Sequence, residues 1–343
     1  MKILITGGAG FIGSHIARNL LESSPDVEVV LFDNFSRRGV EQNVARLSRN
    51  YAERNLKTVK GDVRDASAVQ KHTMDASVVY HTAAQVAVTM SLADPRLDFD
   101  VNALGTLNVL EAARKSNSNP MVFFTSTNKV YGSLDGVDVK EHEKRYAFKK
   151  LKKGVDEGFP LDPTTPYGLS KCIGDMYCRD YYRVYGLPTV VFRMSCIYGP
   201  GQRGNEDQGW LAHFAISALK RQPISIYGTG KQVRDVLYID DLLTAIDLAF
   251  KKIHTAKGQA YNIGGGPKNT VSVLEAIEFL ERRLNCKIPV KFSDWRLGDQ
   301  KVYVSNVQKA MRDFGWQPKV SVEQGLDRLL QWCHSLTEGA KTP

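Results

Sequence analysis

The sequence predicts an α/β fold organised on a doubly wound parallel sheet. Three observations carry that prediction. Short apolar runs alternate with amphipathic stretches from the first residues onward, a glycine turn follows the first run directly, and an acidic residue closes the second. Alternation of this kind builds parallel strands crossed by helices on both faces.

The first run, Ile3-Leu4-Ile5-Thr6, leads into Gly7-Gly8-Ala9-Gly10-Phe11-Ile12-Gly13 and then into the amphipathic stretch His15-Ile16-Ala17-Arg18-Asn19-Leu20-Leu21. Glycines at 8, 10 and 13 suit a tight turn, a backbone that approaches a pyrophosphate with no Cβ between them, and a helix packed closely on its strand. The N-terminus of that helix presents unpaired N–H groups and the positive end of its dipole to phosphates. A dinucleotide is therefore expected on Gly7, Gly10, Phe11, Ile12 and Gly13, in a Rossmann arrangement. The second strand, Val29-Val30-Leu31-Phe32, ends in Asp33, placed to accept hydrogen bonds from the adenosine ribose. A carboxylate there repels a 2′-phosphate and favours NAD, while Arg37 and Arg38 leave NADP open. Asn34, Ser36 and Arg37, just beyond it, join the expected cofactor contacts.

The third and fourth strands, near 56 to 60 and 77 to 81, are followed by Gly61-Asp62-Val63-Arg64 and Thr82-Ala83-Ala84-Gln85-Val86. Both turns fall at the carboxyl edge, where ligands bind in such sheets, so Asp62, Val63, Ala83, Ala84 and Gln85 are expected beside the adenine and the diphosphate. The fifth strand, Met121 to Thr125, continues into Ser126-Thr127-Asn128-Lys129-Val130-Tyr131-Gly132. Further on, Pro166-Tyr167-Gly168-Leu169-Ser170-Lys171 opens a helix, and Tyr167 and Lys171, one turn apart, share a face of it.

The glycine loop, Thr127 ahead of Tyr131-Gly132, and the Tyr-x-x-x-Lys at a helix head together resemble the extended short-chain dehydrogenase/reductase family. The likeness covers nearly the whole chain and extends to Val190-Val191-Phe192-Arg193, Tyr198-Gly199-Pro200-Gly201, Gly228 to Val236 and Arg296-Leu297-Gly298-Asp299-Gln300. Within the family, Ser126 to Gly132, Asp207-Gln208-Gly209-Trp210 and Gly230-Lys231-Gln232-Val233-Arg234-Asp235 are most similar to epimerases that act at C2 of a CDP-linked hexose. The resemblance implies NAD as cofactor, a nucleoside-diphosphate sugar (a CDP-hexose) as substrate, and a homodimer or homotetramer. It also implies a smaller, discontinuous α/β substrate-binding lobe. Residues 1–180 would form the cofactor domain, with segments near 189–200 and 236–265 returning to it, and 181–343 would form mainly the lobe. The polar stretch from Ser133 to Thr165 reads as a flap or an oligomer contact.

Catalysis is expected from Thr127, Tyr167 and Lys171. Tyr167 can take a proton from a sugar hydroxyl only if it ionises well below the ordinary ~10. Lys171 and an oxidised nicotinamide, both positive, favour its phenolate. Lys171 would also hold the nicotinamide ribose, and Thr127 the reacting oxygen. Where the family's 4,6-dehydratases carry an acidic pair after the Thr, this chain has Asn128 and Lys129, so elimination of water lacks its acid and base. Arg234 and Arg296 are the best candidates for the diphosphate, since a guanidinium fork binds phosphate oxygens bidentately, and each also reads as an ion-pair member. Gln85, Asn128, Arg193 and Gln208 are weaker candidates for sugar or base. Cys196 stands where related epimerases often place Asn, which puts that contact in doubt. Two other functions stay open: a 4-epimerase using the same three groups, and a non-catalytic NAD-sensing protein.

Composition sets the remaining bounds. A chain of 343 residues buries a sizeable core. No apolar run approaches the ~18 residues of a membrane span and no leader pattern opens the chain, so a cytoplasmic protein without membrane partners is expected. Five scattered cysteines without C-x-x-C spacing suit free thiols, with no metal site expected. The net charge of +9 is spread along the chain and no nucleic-acid module is recognisable, so nucleic acid is not an expected partner.

Overall fold

The apolar runs become parallel strands because each is followed by a helix that crosses a face of the sheet and returns the chain to the same edge. The computed structural model describes residues 1–24, 26–51 and 53–338. The first half runs β1 (Lys2–Thr6), α1 (Phe11–Ser23), β2 (Glu28–Asp33), α2 (Glu41–Asn50), β3 (Leu56–Lys60), α3 (Ala66–Thr73) and β4 (Val78–His81). Helices α4 (Val88–Ala93) and α5 (Pro95–Phe99) follow, then a π-helical turn at Asp100–Leu104, α6 (Gly105–Lys115), β5 (Met121–Thr127) and a 3-10 turn at Asn128–Tyr131. The hairpin β6 (Val139–Glu141) and β7 (Tyr146–Phe148) precedes α7 (Pro166–Tyr185), β8 (Thr189–Met194) and β9 (Cys196–Tyr198). The remainder is α8 (Trp210–Leu219), β10 (Ile224–Tyr227), β11 (Val233–Tyr238), α9 (Ile239–Lys251), α10 (Ile253–Ala256), β12 (Gln259–Ile263), β13 (Thr270–Ser272), α11 (Val273–Leu284), β14 (Val290–Ser293), β15 (Val302–Tyr303), α12 (Gln308–Phe314) and α13 (Val322–Glu338).

Seven strands form the main sheet in the order β12-β8-β5-β4-β1-β2-β3. Strand β1 pairs with β2 from Lys2↔Glu28 to Thr6↔Phe32 and with β4 from Ile3↔Val78 to Thr6↔His81. The direction of winding therefore reverses at β1, which creates the crevice at the strand ends where doubly wound sheets take ligands. The inner strands read as continuous apolar runs because helices cover both faces, and Leu4, Val30, Val79, Val122, Phe124 and Val191 are all buried.

The chain divides into two compact units. The first holds residues 1–130, 166–193 and 246–261, the second 131–165, 194–245 and 262 onward. The 131–165 segment, kept with the cofactor domain in the sequence reading, thus belongs to the second unit. Nor is it a flap. Tyr146 on β7 packs in a buried cluster with Val233, Val302 and Val304, its N–H donates to the Lys231 carbonyl (2.8 Å), and Val155 bridges to Ser305. In the same unit, β11 pairs in parallel with β9 and β15 and antiparallel with β13. Helix α11 starts on a reciprocal cap: the Ser272 hydroxyl accepts from the Glu275 N–H (3.1 Å) and the Glu275 carboxylate from the Ser272 N–H (2.8 Å). Such a cap contributes about 1 kcal/mol. No helix among the described residues is long and apolar enough to cross a membrane.

Candidate active site

The site begins where β1 gives way to α1. Gly7 adopts φ +69°, and a Cβ on it would stand 2.6 Å from the Ala83 nitrogen, so the loops after β1 and β4 touch there only because position 7 is glycine. A Cβ at Gly13 would lie 2.4 Å from the Gly7 carbonyl, whereas at Gly10 it would meet only that carbonyl, at 3.1 Å. Positions 7 and 13 therefore close the turn, and Gly10 leaves its outer side clear. Among the described residues no side chain caps α1, whose first-turn N–H groups, at Phe11 and Ile12, are left for an anion. At the end of β2, Asp33 accepts from the N–H groups of Ala9 (3.0 Å) and Phe35 (2.9 Å), which fixes its carboxylate beside the turn. Burial raises its pKa and those two hydrogen bonds oppose the rise.

The neighbouring turns are equally ordered. Asp62 is clasped by Arg64 (2.9 and 2.7 Å) and receives the Asn34 amide (2.9 Å), and the Arg64 hydrogen bond above all holds its carboxyl well below the usual carboxylate range. Asn34 in turn accepts from the Ser36 N–H (3.0 Å). Val63 is buried, Arg37 is half-buried, and Ala83 and Ala84 line the turn after β4. A cradle without Cβ atoms, free helix-head donors and a fixed carboxylate at the end of β2 fit the pyrophosphate and ribose of a dinucleotide.

The proposed catalytic groups lie on two elements that pack face to face. Thr127 ends β5, and Tyr167 and Lys171 occupy the first two turns of α7. Close packing is built in: a Cβ at Gly174 would stand 2.7 Å from the Phe124 ring, and Lys171 Nζ sits 4.2 Å from that ring's centroid. Lys171 is 2 % exposed, and burial lowers its pKa to about 8. Thr127 donates to the Asn128 side chain (3.3 Å) and accepts from the Lys129 N–H (3.3 Å). His81 is a packed residue. Its ring bridges Thr6 (2.6 Å) and Thr106 (3.0 Å), and burial pushes its pKa down to about 3, so it stays neutral.

Two weaker sequence candidates turn out to be occupied. Arg193 is 1 % exposed and clasps Asp175 with two hydrogen bonds, 2.8 and 3.0 Å, while Ser126 donates to the same carboxylate (3.0 Å). Its guanidinium ties β8 to α7. The Gln85 amide donates to the Ala87 carbonyl (2.9 Å) and Asp98 (2.8 Å) and accepts from the Ala87 N–H (2.6 Å), which ties it to its own loop and to α5. The sequence reading missed Asp98, Asn102 and Asp175. A carboxylate or amide on a helix reads as solvated face, and only the fold shows these three to be fully buried.

In the second unit, Arg234 is mostly buried, donates to the Val233 carbonyl (2.7 Å) and pairs with Asp299. Arg296 lies 3.9 Å over the Tyr227 ring and 3.6 Å from an Asp207 oxygen, an ion pair too long for a good hydrogen bond. Gln208 belongs to a turn in which its N–H meets the Asn205 side chain (2.9 Å). Cys196 is half-buried on β9, and all five cysteines are free thiols.

The comparisons with known proteins decide the family. A model described as GDP-mannose 4,6 dehydratase matches residues 4–329. The chain belongs to this family. Its membership agrees with the extended short-chain dehydrogenase/reductase motifs. Among curated members, CDP-paratose 2-epimerase of Salmonella typhi is 40 % identical across 98 % of this chain and 100 % of its own. Two solved structures share the fold. UDP-glucose 4-epimerase of Thermotoga maritima, solved with UDP-glucose, aligns with a TM-score of 0.84 and 31 % identity over 98 % of this chain and 100 % of its own. dTDP-glucose 4,6-dehydratase of Streptomyces venezuelae, solved with NAD, aligns with 0.85 and 31 % over 99 % and 98 %. The relatives thus include both epimerases and dehydratases of nucleotide sugars.

Proposed function

We propose that this family member is an NAD-dependent, redox-neutral epimerase that inverts C2 of a CDP-linked hexose. CDP-tyvelose, CDP-paratose and CDP-glucose are its candidate substrates. The observation that carries the reading is the 40 % identity, over essentially both full lengths, to the Salmonella 2-epimerase. Asn128 and Lys129 after Thr127 support it from the chemical side: the pair offers no carboxylic acid and carboxylate to drive loss of water, which argues against dehydration.

The residues present fit the cofactor, with Gly7, Gly10, Phe11, Ile12 and Gly13 at the pyrophosphate and Asp33 at the adenosine ribose. When bound, its nicotinamide supplies a reversible two-electron sink, which an unactivated sugar carbon needs before it can invert. Tyr167 accepts the C2 hydroxyl proton and later returns it, Thr127 holds that oxygen by a hydrogen bond, and Lys171 supplies the positive charge that favours the Tyr167 phenolate. Arg234 and Arg296 hold the diphosphate by exchanging Asp299 and Asp207 for phosphate oxygens, an exchange the loose Arg296 pair makes easy. Gln208 and Asn128 remain candidates for base and sugar.

Tyr167→Phe tests the assignment. It should abolish epimerisation of a CDP-hexose while NAD still co-purifies or binds, and undiminished turnover would remove Tyr167 from the mechanism.

A further inference from the structure

Four charged side chains are buried where α7 packs on the sheet and on α5: Lys171, Asp175, Arg193 and Asp98, each 2 % exposed or less. Unpaired buried charge is costly, so these charges must compensate one another. Arg193 and Asp175 do so through two parallel hydrogen bonds. That leaves one cation, Lys171, and one anion, Asp98.

Asp98 is not idle packing. One of its oxygens accepts from the Ser170 hydroxyl (2.5 Å) and the other from the amides of Gln85 (2.8 Å) and Asn102 (3.2 Å). Ser170 is the residue before Lys171, and Asn102 lies in the π-helical turn between α5 and α6, with its amide also on Ser170 (3.0 Å). Lys171 Nζ lies 4.2 Å from the Phe124 ring centroid, and no hydrogen bond or ion pair to it is seen among the described residues. Cys178 and Asp175 on α7 also act to raise the Lys171 pKa, but burial holds Cys178 as a thiol and Asp175 is clasped by Arg193, while His81 on β4 is neutral.

We propose that Asp98 is the counter-charge of Lys171, a positioning residue that keeps the lysine an ammonium and, through Ser170, fixes the first turn of α7. The inference deepens the reading of Lys171 as a catalytic group and rests on that reading only for its consequence in turnover. With the charge in place Lys171 stays positive where Tyr167 needs a cation. Without it the ammonium loses a buried carboxylate that favours its charged form. The mutual attraction acts on both partners, raising the lysine and lowering the carboxylate against the desolvation each suffers.

Asp98→Asn separates charge from scaffolding. An asparagine oxygen can still accept from Gln85 and Asn102, and its NH2 can donate to Ser170, whose own hydrogen is free to stay on the Tyr167 carbonyl (3.1 Å). The readout is the 13C titration of lysine Cε in the full-length protein, with the Lys171 signal assigned by its loss in Lys171→Met. The wild-type midpoint is expected near pH 8 and should fall by about one unit in Asp98→Asn. An unchanged midpoint would overturn the proposal, because a purely hydrogen-bonding role leaves it in place.

Should Asp98→Asn not fold alone, Asp98→Asn/Lys171→Met decides instead. Removing both charges should restore folding or raise the melting temperature above that of Asp98→Asn, whereas a double variant no better than the sum of the singles would sink the pairing. Neither measurement uses a sugar, so failure of the epimerase reading and failure of this one are told apart.

Discussion

At the scale of single residues, the turn after β1 ties stability to ligand binding through missing atoms. Gly7 combines a left-handed backbone with a neighbour, the Ala83 nitrogen, 2.6 Å from where a Cβ would be. Strain and overlap together predict that Gly7→Ala destabilises the protein by roughly 1–3 kcal/mol and parts the loops proposed to cradle the pyrophosphate. A thermal scan with and without NAD checks this: the rise in melting temperature that NAD gives the wild type should vanish in the variant. Arg193 teaches the opposite lesson. Its chemistry suits a ligand, yet a cation 1 % exposed and doubly bonded to Asp175 answers a buried carboxylate first.

At the scale of elements, the packing of α7 on β5 sets the geometry of the proposed catalytic groups. Alanine normally improves a helix interior over glycine by about 1 kcal/mol. At position 174 the added methyl would meet Phe124 at 2.7 Å and Thr106 at 3.1 Å, and overpacking of a filled core costs roughly 1–3 kcal/mol. Gly174→Ala should therefore lower both the melting temperature and kcat, with NAD affinity less affected, as paired calorimetry and kinetics would show. The strands of this unit were legible because apolar runs between helices leave few alternatives: those expected near 2 to 6, 56 to 60 and 77 to 81 appear at Lys2–Thr6, Leu56–Lys60 and Val78–His81. The glycine turn and Asp33 were legible for the same local reason. The hairpin β6–β7 and the set Asp98, Ser170 and Asn102 were not. Tyr146 finds Val233 and Val302, and Asp98 finds Ser170 72 residues away, through the fold and not through sequence spacing.

At the scale of the whole molecule, buried polar groups make stability depend on pH. His81 is held neutral in the native state, with its pKa pushed from the ordinary 6.5 to about 3 by burial first and Lys171 second. Between those values the unfolded chain binds a proton that the native protein refuses. Stability is therefore fully present above about pH 6.5 and declines as the pH falls toward 3, at up to about 1.4 kcal/mol per unit. Urea midpoints at pH 7 and pH 5 should differ accordingly, and His81→Gln should narrow the difference. The proposed inversion at C2 is read by proton NMR of the purified protein with CDP-tyvelose in deuterated water. Inversion at C2 with no deuterium at that carbon is the predicted result, since the hydrogen removed is returned internally. Inversion at C4, or deuterium at the inverted carbon, would contradict it.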